Sequence, residues 1–113
     1  MDIAAADLTP GRIYKLLTST VMPRPIALVS TLNADGGVNA APFSFFNIFS
    51  EAPPLLVLGI EGSTRDQGGP LKDTSRNIAA RGEFVVNLVN HAIAAQMVAC
   101  AVPFPEGVSE LAE

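Results

Sequence analysis

The chain has 113 residues, of which 49% are hydrophobic and only 16% are charged, and its formal net charge is −4. This composition excludes a disordered chain, which would be rich in charge, and it excludes nucleic-acid binding as the main role, because seven basic residues are scattered through an acidic sequence. A chain of this length forms at most one domain. Since an ordinary domain has about a quarter of its residues charged, the chain is expected to cover apolar surface with a cofactor, a second subunit or a further segment.

The single cysteine and the distribution of charge predict a cytoplasmic protein. Cys100 cannot form an internal disulfide, and no Cys-x-x-Cys or Cys/His cluster is present. Residues 1–7 contain two Asp and no basic residue, which is the wrong charge for a signal peptide. No membrane span is expected, because the most apolar stretch, 40–60, is interrupted by two polar residues and two prolines, Asn47, Glu51, Pro53 and Pro54.

The first third of the chain predicts a helix followed by a β-hairpin. Thr9 is typical of a helix N-cap, since proline follows it at the first helical position, and the helix must end before Pro23. Residues 26–32 form an apolar, partly β-branched run typical of a strand. The turn cluster 33–37 then predicts a hairpin whose return strand covers 38 to about 46.

The rest of the chain predicts two more strands and two short helices. A third strand is expected at 55–60 and a fourth at 84–89, separated by a surface loop at 61–70 and a helix that Gly82 ends. Asn90 is then expected to cap a second helix, closed by the proline at position 103.

These elements predict one α+β or barrel-like domain over residues 1–113, with antiparallel strands. The tight first turn makes the first two strands antiparallel neighbours, and there is no Rossmann or Walker glycine pattern to favour a parallel sheet. Residues 109–113 begin like a capped helix and then stop. Because a one-turn helix is not stable alone, the sequence is expected to be cut off within an element.

Neither a catalytic nucleophile nor a metal site is predicted. His91 is the only histidine, and Cys100 lies in a stretch of small apolar residues, where an inert buried thiol is the common outcome. One histidine without paired carboxylates leaves too few ligands for a metal. No residue is therefore assigned a catalytic role.

The segment Lys72-Asp73-Thr74 has the residue types of an anion site. It follows a glycine-rich loop and begins a helix, where an ammonium, a hydroxyl and backbone N–H groups converge at the positive end of the helix dipole. Arg65 and Arg76 could add positive charge. The alternative is that Asp73 or Thr74 is only a helix cap and Lys72 only a solvated side chain, since caps are far more frequent than phosphate sites.

The segment at 39–47 is unusual for a strand, because it mixes small residues, a proline and three phenylalanines. Proline cannot donate to a β-ladder, so neighbouring backbone groups are expected to be available to a planar ligand, which small residues allow to approach. The alternative interpretation is that Phe43 and Phe45 share one strand face and belong to the core.

Five segments stand in a characteristic order along the chain: PRPIALVST at 23–31, NAAPFSFFN at 39–47, PP at 53–54, KDT at 72–74 with NI at 77–78, and EFVVN at 83–87. Taken together, they closely resemble the flavin reductase-like family of FMN-binding split barrels. The resemblance implies an antiparallel split β-barrel with short flanking helices, of which this chain is the N-terminal part.

The resemblance also implies which residues bind the cofactor. Ser30-Thr31 and 39–44 match positions that line the isoalloxazine ring and ribityl chain, Lys72-Asp73-Thr74 match the phosphate-binding segment, and Arg24 lies where a basic residue can reach the cofactor. The predicted FMN-binding residues are thus Arg24, Ser30, Thr31, Asn39, Ala41, Pro42, Phe43, Ser44, Phe45, Lys72, Asp73 and Thr74.

By the same resemblance, the protein is expected to be an NAD(P)H-dependent flavin (FMN) reductase in which FMN carries the chemistry. Its expected partners are flavin and nicotinamide molecules, a second copy in a homodimer, and an oxygenase or other electron acceptor. Two alternatives remain open: an FMN-binding electron carrier without reductase activity, and a truncated fragment that dimerises without catalysis.

Overall fold

The structure is a computed structural model, and it describes residues 2–60, 71–102, 104 and 109. The predicted loop at 61–70 with Arg65, the closing proline at position 103 and the predicted last helix beyond Ser109 lie outside the described residues.

The N-terminal helix is confirmed. A short 3-10 turn, Ala5–Asp7, precedes helix α1, Pro10–Thr20. Thr9 occupies the N-cap position, but its side chain makes no capping hydrogen bond, and its carbonyl accepts from the backbone N–H groups of Arg12 and Ile13 at 2.9 and 3.0 Å. The helix ends ahead of Pro23, as the proline requires.

The predicted hairpin is also confirmed. Strand β1, Ala27–Leu32, pairs antiparallel with strand β2, Val38–Phe43. The turn between them uses a positive φ of 89° at Gly36, a conformation that glycine adopts without a steric penalty. The Asp35 carboxylate accepts from the backbone N–H of Gly37 at 2.9 Å and closes the turn.

The return strand ends earlier than predicted, and a strand that the sequence analysis missed follows it. Strand β3, Phe46–Glu51, pairs antiparallel with β4, Pro54–Leu58. Between β2 and β3 the backbone turns at Phe45, whose carbonyl accepts from the N–H of Gly59 at 2.6 Å. A Cβ atom on Gly59 would lie 2.8 Å from the Cβ of Phe45, so this close approach depends on glycine.

The second half of the described chain contains two helices and one strand. Helix α2, Asp73–Arg81, ends at Gly82, which has a φ of 71° as expected of a C-terminal glycine. Strand β5, Val85–Leu88, follows. A 3-10 turn, His91–Ile93, then leads into helix α3, Ala94–Ala99, and Asn90 caps the turn as predicted, accepting from Ala92 and Ile93.

The cap predicted for α2 is wrong. The N-cap residue is Lys72, whose side chain makes no capping hydrogen bond. The Asp73 carboxylate instead forms an ion pair with Arg76, and Thr74 is buried against the first sheet.

The strands form two antiparallel sheets, with the orders β2-β1-β5 and β3-β4. Ala27, Val29 and Phe43 form the buried core of the first sheet, and Phe46 and Leu58 of the second sheet pack against it. Antiparallel sheets with a few short helices are the predicted fold class, which is thereby confirmed.

Part of the apolar surface expected from the low charge lies on the second sheet. Ile48 and Phe49 of β3 are each 71% exposed, and Leu55, Leu56 and Val57 of β4 are exposed as well. Within the described ranges, no helix has both the length and the apolar character needed to cross a membrane.

Candidate functional site

Most of the predicted site residues line one cavity of about 370 Å³, where β2, the start of α2 and the end of α3 meet. We call this cavity the main cleft. Its walls combine polar side chains with small and apolar ones. Seven predicted site residues line it, namely Asn39, Ala41, Pro42, Phe43, Lys72, Asp73 and Thr74, together with Leu71, Cys100, Ala101, Val102 and Phe104. The fold therefore brings two distant segments of the predicted site, 39–43 and 72–74, to one place.

The polar end of the main cleft is the N-terminus of α2. The first N–H groups of a helix have no partner within the helix, and the side chain of the N-cap residue, Lys72, makes no capping hydrogen bond here. Lys72 is exposed at this end, while Arg76 pairs with the Asp73 carboxylate and offsets its charge. Uncapped N–H groups, a helix dipole and an ammonium together favour an anionic group.

A buried network of hydrogen bonds holds this helix end on the hairpin. The Asn39 amide N–H groups donate to the Thr31 and Thr74 hydroxyls at 3.3 and 3.1 Å. The Asn77 amide donates to the Thr31 hydroxyl at 3.0 Å and to Asn33 Oδ1 at 2.8 Å. All five side chains are buried, so each of these bonds offsets the cost of removing a polar group from water.

A smaller cavity of about 170 Å³ adjoins the main cleft and shares Pro42, Phe43 and Lys72 with it. Ser44 and Phe45, two more predicted site residues, line this smaller cavity. The rings of Tyr14 and Phe45 lie 6.2 Å apart, so the N-terminal helix forms part of its wall. The two cavities make one continuous surface, polar at α2 and aromatic at Phe45.

Arg24 lies apart from the anion-binding end. Its guanidinium donates to the carbonyls of Thr18 and Val21 at 2.9 and 2.6 Å and to the Ser44 hydroxyl at 3.3 Å. It lies 5.9 Å from the centre of the Phe45 ring and lines an apolar cleft that shares Ser44, Phe45 and Gly59 with the smaller cavity. Its contacts bind the last turn of α1, since unpaired carbonyls at a helix end attract a cation.

Ser30 and Thr31 are separated by the alternation of side chains along β1. Thr31 points to the face that carries the buried network, whereas Ser30 accepts from the Asn87 amide at 3.3 Å on the opposite face. Neither residue lines the main cleft. Thr31 is therefore tied to the site through Asn39, and Ser30 is not.

The sequence analysis missed Asn33 and Asn77 as members of the network, and Ala101, Val102 and Phe104 as walls of the main cleft. One signal was available: Thr74, Asn77 and Arg81 recur at spacings of three and four, which places them on one face of α2. Arg81 donates to the carbonyls of Leu32 and Asn33 at 3.1 and 2.7 Å. The wall residues follow from the docking of α3, for which the sequence contains no local signal.

Neither residue considered as a nucleophile is placed for catalysis by an observed contact. His91 is exposed in the 3-10 turn, and Cys100 is buried in the wall of the main cleft. Over residues 2–60, 71–102, 104 and 109, no group of three or more His, Cys, Asp or Glu is placed to hold a metal ion.

The chain is similar to several known proteins over most of its length. YwrF of Bacillus subtilis is 50% identical over 94 residues, which is 82% of this chain and 44% of that protein. The crystal structure of 2-nitrobenzoate 2-nitroreductase from Pseudomonas fluorescens matches 99% of this chain and 51% of its own, at 43% identity and a TM-score of 0.82. The crystal structure of nitrilotriacetate monooxygenase component B from Bacillus cereus matches 99% of this chain and 54% of its own, at 36% identity and a TM-score of 0.89.

The chain thus spans about half the length of these relatives. A protein from Shewanella frigidimarina with a split barrel domain shares the fold at 20% identity and a TM-score of 0.72. The family described as "Flavin reductase like domain" matches residues 18–113, a range that contains every residue of the main cleft. With its fold, its cleft and most of its length accounted for in this way, the chain belongs to the flavin reductase like domain family.

Proposed function

We propose that the main cleft binds FMN and that the chain is the cofactor-binding part of an NAD(P)H-dependent flavin reductase. The observation that carries this proposal is one continuous surface with an uncapped helix N-terminus beside Lys72 and Thr74 at one end and Phe43, Ser44 and Phe45 at the other. A phosphorylated flavin has the matching chemistry, since it is anionic at one end and planar and largely apolar at the other.

The residues present fit this cofactor. The main cleft alone, at about 370 Å³, lies within the 300–1,000 Å³ that is usual for small-molecule sites. Ala41 and Pro42 in its wall have short side chains, which lets a flat ligand approach the β2 backbone. Asn39 and Thr74 line the cleft although they are only 3% and 2% exposed, so polar groups are already held in place before a ligand binds.

Each segment would hold a different part of the ligand. The phosphate would be held by Lys72 and by the Thr74 hydroxyl with the first N–H groups of α2, the polyol chain by Asn39, and the ring by 41–45. Phosphate groups bind at helix N-termini for the electrostatic reason given above. Arg24 acts indirectly in this arrangement, because it orients Ser44 and lies beside the Phe45 ring.

The bound flavin supplies the redox chemistry by accepting electrons from a nicotinamide and passing them to an acceptor. The chain's own residues bind and orient it, and no acid, base or nucleophile is assigned among them. Backbone N–H groups and the Ser44 hydroxyl near the ring would favour negative charge on it. Phe43, Val102 and Phe104 supply apolar wall to the main cleft.

We also propose a homodimer and an oxygenase component as partners. The exposed apolar residues of β3 and β4 support a second copy as the cover of this surface, since contiguous apolar patches mark association sites and two-fold dimers are the commonest oligomers. Light scattering of the purified chain measures that association. The oxygenase partner is supported by the similarity to component B of nitrilotriacetate monooxygenase.

The proposed activity is tested by the visible spectrum of the purified protein and by NADH and NADPH oxidation with and without added FMN. We expect a flavin spectrum and oxidation that depends on FMN. A yellow protein that oxidises neither nicotinamide would be an electron carrier, the second candidate function. A colourless protein without flavin-dependent turnover would overturn the reductase proposal.

Replacing Lys72 or Thr74 by alanine is expected to weaken FMN binding by about ten- to 150-fold each, because a hydrogen bond to a charged group contributes about 1.5–3 kcal/mol. Flavin fluorescence quenching measures the dissociation constant. Lys15→Ala, which removes the same charge from the exposed face of α1, is the matched control and is expected to leave binding unchanged. Unchanged FMN affinity in both Lys72→Ala and Thr74→Ala would show that the phosphate is bound elsewhere.

A further inference from the structure

Asn77 holds the polar end of the main cleft from a position outside it. It lies one helical turn after Thr74 in α2 and does not line the cleft. Its amide donates to the Thr31 hydroxyl at 3.0 Å and to Asn33 Oδ1 at 2.8 Å. Asn77, Thr31 and Asn33 are all buried, so these bonds are shielded from water and define where the side chains lie.

In this network the amide NH₂ groups of Asn39 and Asn77 are the donors, and the Thr31 and Thr74 hydroxyls and Asn33 Oδ1 are the acceptors. An amide NH₂ can only donate, whereas a hydroxyl that accepts one bond still has its own proton to donate. The Asn39 amide donates to Thr31 and Thr74, which leaves its Oδ1 as an acceptor beside the main cleft. Because the Thr74 oxygen accepts from Asn39, the Thr74 O–H can donate to a group in the cleft, and a phosphate oxygen can only accept.

We propose that Asn77 is a positioning residue for the anion-binding end of the site. Asn77 donates to the Thr31 hydroxyl from the α2 side and so fixes the position of that hydroxyl. The same hydroxyl orients the Asn39 amide, and the Asn39 amide in turn orients the Thr74 O–H as a donor toward the ligand. The same side chain ties α2 to the hairpin turn through Asn33. This inference rests on the proposed flavin-binding function.

The proposal makes a specific statement about ligand preference. If Asn77 acts through Thr74, its loss weakens the interaction with the phosphate and leaves the contacts of the flavin ring intact. A general loosening of the fold would weaken both. Riboflavin has the same ring and polyol chain as FMN without the phosphate, so the ratio of the two affinities separates positioning from a structural defect.

The experiment measures FMN and riboflavin dissociation constants by fluorescence quenching for the unsubstituted chain, Asn77→Ala, Thr74→Ala and the double variant. We expect Asn77→Ala to weaken FMN binding about tenfold and to leave riboflavin binding close to its original value. The loss of FMN affinity in the double variant should be smaller than the sum of the two single losses, because both residues act on one contact.

Two further variants keep the result interpretable. Asn90→Ala removes an asparagine that also makes two hydrogen bonds, to Ala92 and Ile93, outside the network, and it should not change the FMN to riboflavin ratio. If Asn77→Ala does not fold, Asn33→Ala removes the acceptor of the Asn77 amide in the turn and should lower the same ratio.

Three results would overturn the proposal. Equal loss of FMN and riboflavin affinity would assign Asn77 a general structural role, and unchanged affinity for both flavins in every foldable variant would assign it no role in binding. Full additivity of Asn77→Ala and Thr74→Ala would show that Asn77 does not act through Thr74. A chain that binds neither flavin before substitution would instead overturn the proposed function itself, and this inference with it.

Discussion

Replacing Phe43 by alanine is expected to lower the free energy of unfolding by about 3–5 kcal/mol, the usual cost of deleting a buried aromatic ring. Phe43 is 7% exposed and forms the core with Ala27 and Val29. Phe46 and Leu58 of the second sheet pack against the same cluster, so the cavity would open between the two sheets. Equilibrium unfolding in urea, followed by circular dichroism, measures the change.

Phe49→Ala is the matched control for this prediction. Phe49 is 71% exposed on β3 of a single chain, so at protein concentrations where light scattering shows a monomer the same atoms are removed from a side chain that is mostly in solvent. The expected change in the free energy of unfolding is within about 0.5 kcal/mol. Equal destabilisation by the two substitutions would contradict the assignment of Phe43 to the core.

Replacing Thr31 by valine is expected to lower the free energy of unfolding by about 2–3 kcal/mol, although the side chain keeps its shape and its preference for a strand. The Thr31 hydroxyl accepts from both Asn39 and Asn77, and valine would leave two buried amide donors without that acceptor. Because Asn39 also contacts Thr74, the substitution should weaken FMN binding as well.

Thr20→Val serves as the control for Thr31→Val. Thr20 is an exposed residue of α1 whose hydroxyl donates to the Leu16 carbonyl, a group that already takes part in the helix. A cost of a few tenths of a kcal/mol is expected there from helix propensity. Thermal and urea unfolding of both variants compare the two effects, and a similarly small loss for Thr31→Val would mean that the buried network contributes little to stability.

The elements that the sequence predicts correctly are those with strong local signals. Thr9 and Pro10 mark the start of α1, and Gly36 with Asp35 closes the first hairpin because the turn needs a positive φ and a short acceptor. Gly82 ends α2 for a similar reason, and Asn90 caps the turn before α3. Each of these features depends on neighbours within a few residues.

The missed strand β3 has no such signal. Residues 38–51 form one long run in which apolar and small residues continue across the break, so periodicity favours a single strand. The break at Ser44 and Phe45 comes from a contact with Gly59, which lies fourteen positions from Phe45 along the chain. A long-range backbone contact of this kind cannot be inferred from the local pattern.

The residues of the candidate site show the same difference between local signals and long-range contacts. Lys72 and Thr74 were predicted from residue type and helix position, and the structure brings them to the cleft beside Asn39. The resemblance placed Arg24 where it can reach the cofactor, and in the structure its guanidinium donates to the carbonyls of Thr18 and Val21 at the end of α1. The charge of a residue is local information, whereas its partner is set by packing.

By itself, the sequence determined the antiparallel hairpin, the short helices and the excess of apolar residues. These follow from turn chemistry, periodicity and residue type. Only the tertiary structure decided that α2 docks on β1 and β2 through Asn77, Thr31 and Asn39, that Ser30 and Thr31 point to opposite faces, and that Asp73 pairs with Arg76 rather than capping its helix. The reason is that buried polar groups take whichever partner the fold brings within reach, and that partner can lie more than forty residues away along the chain.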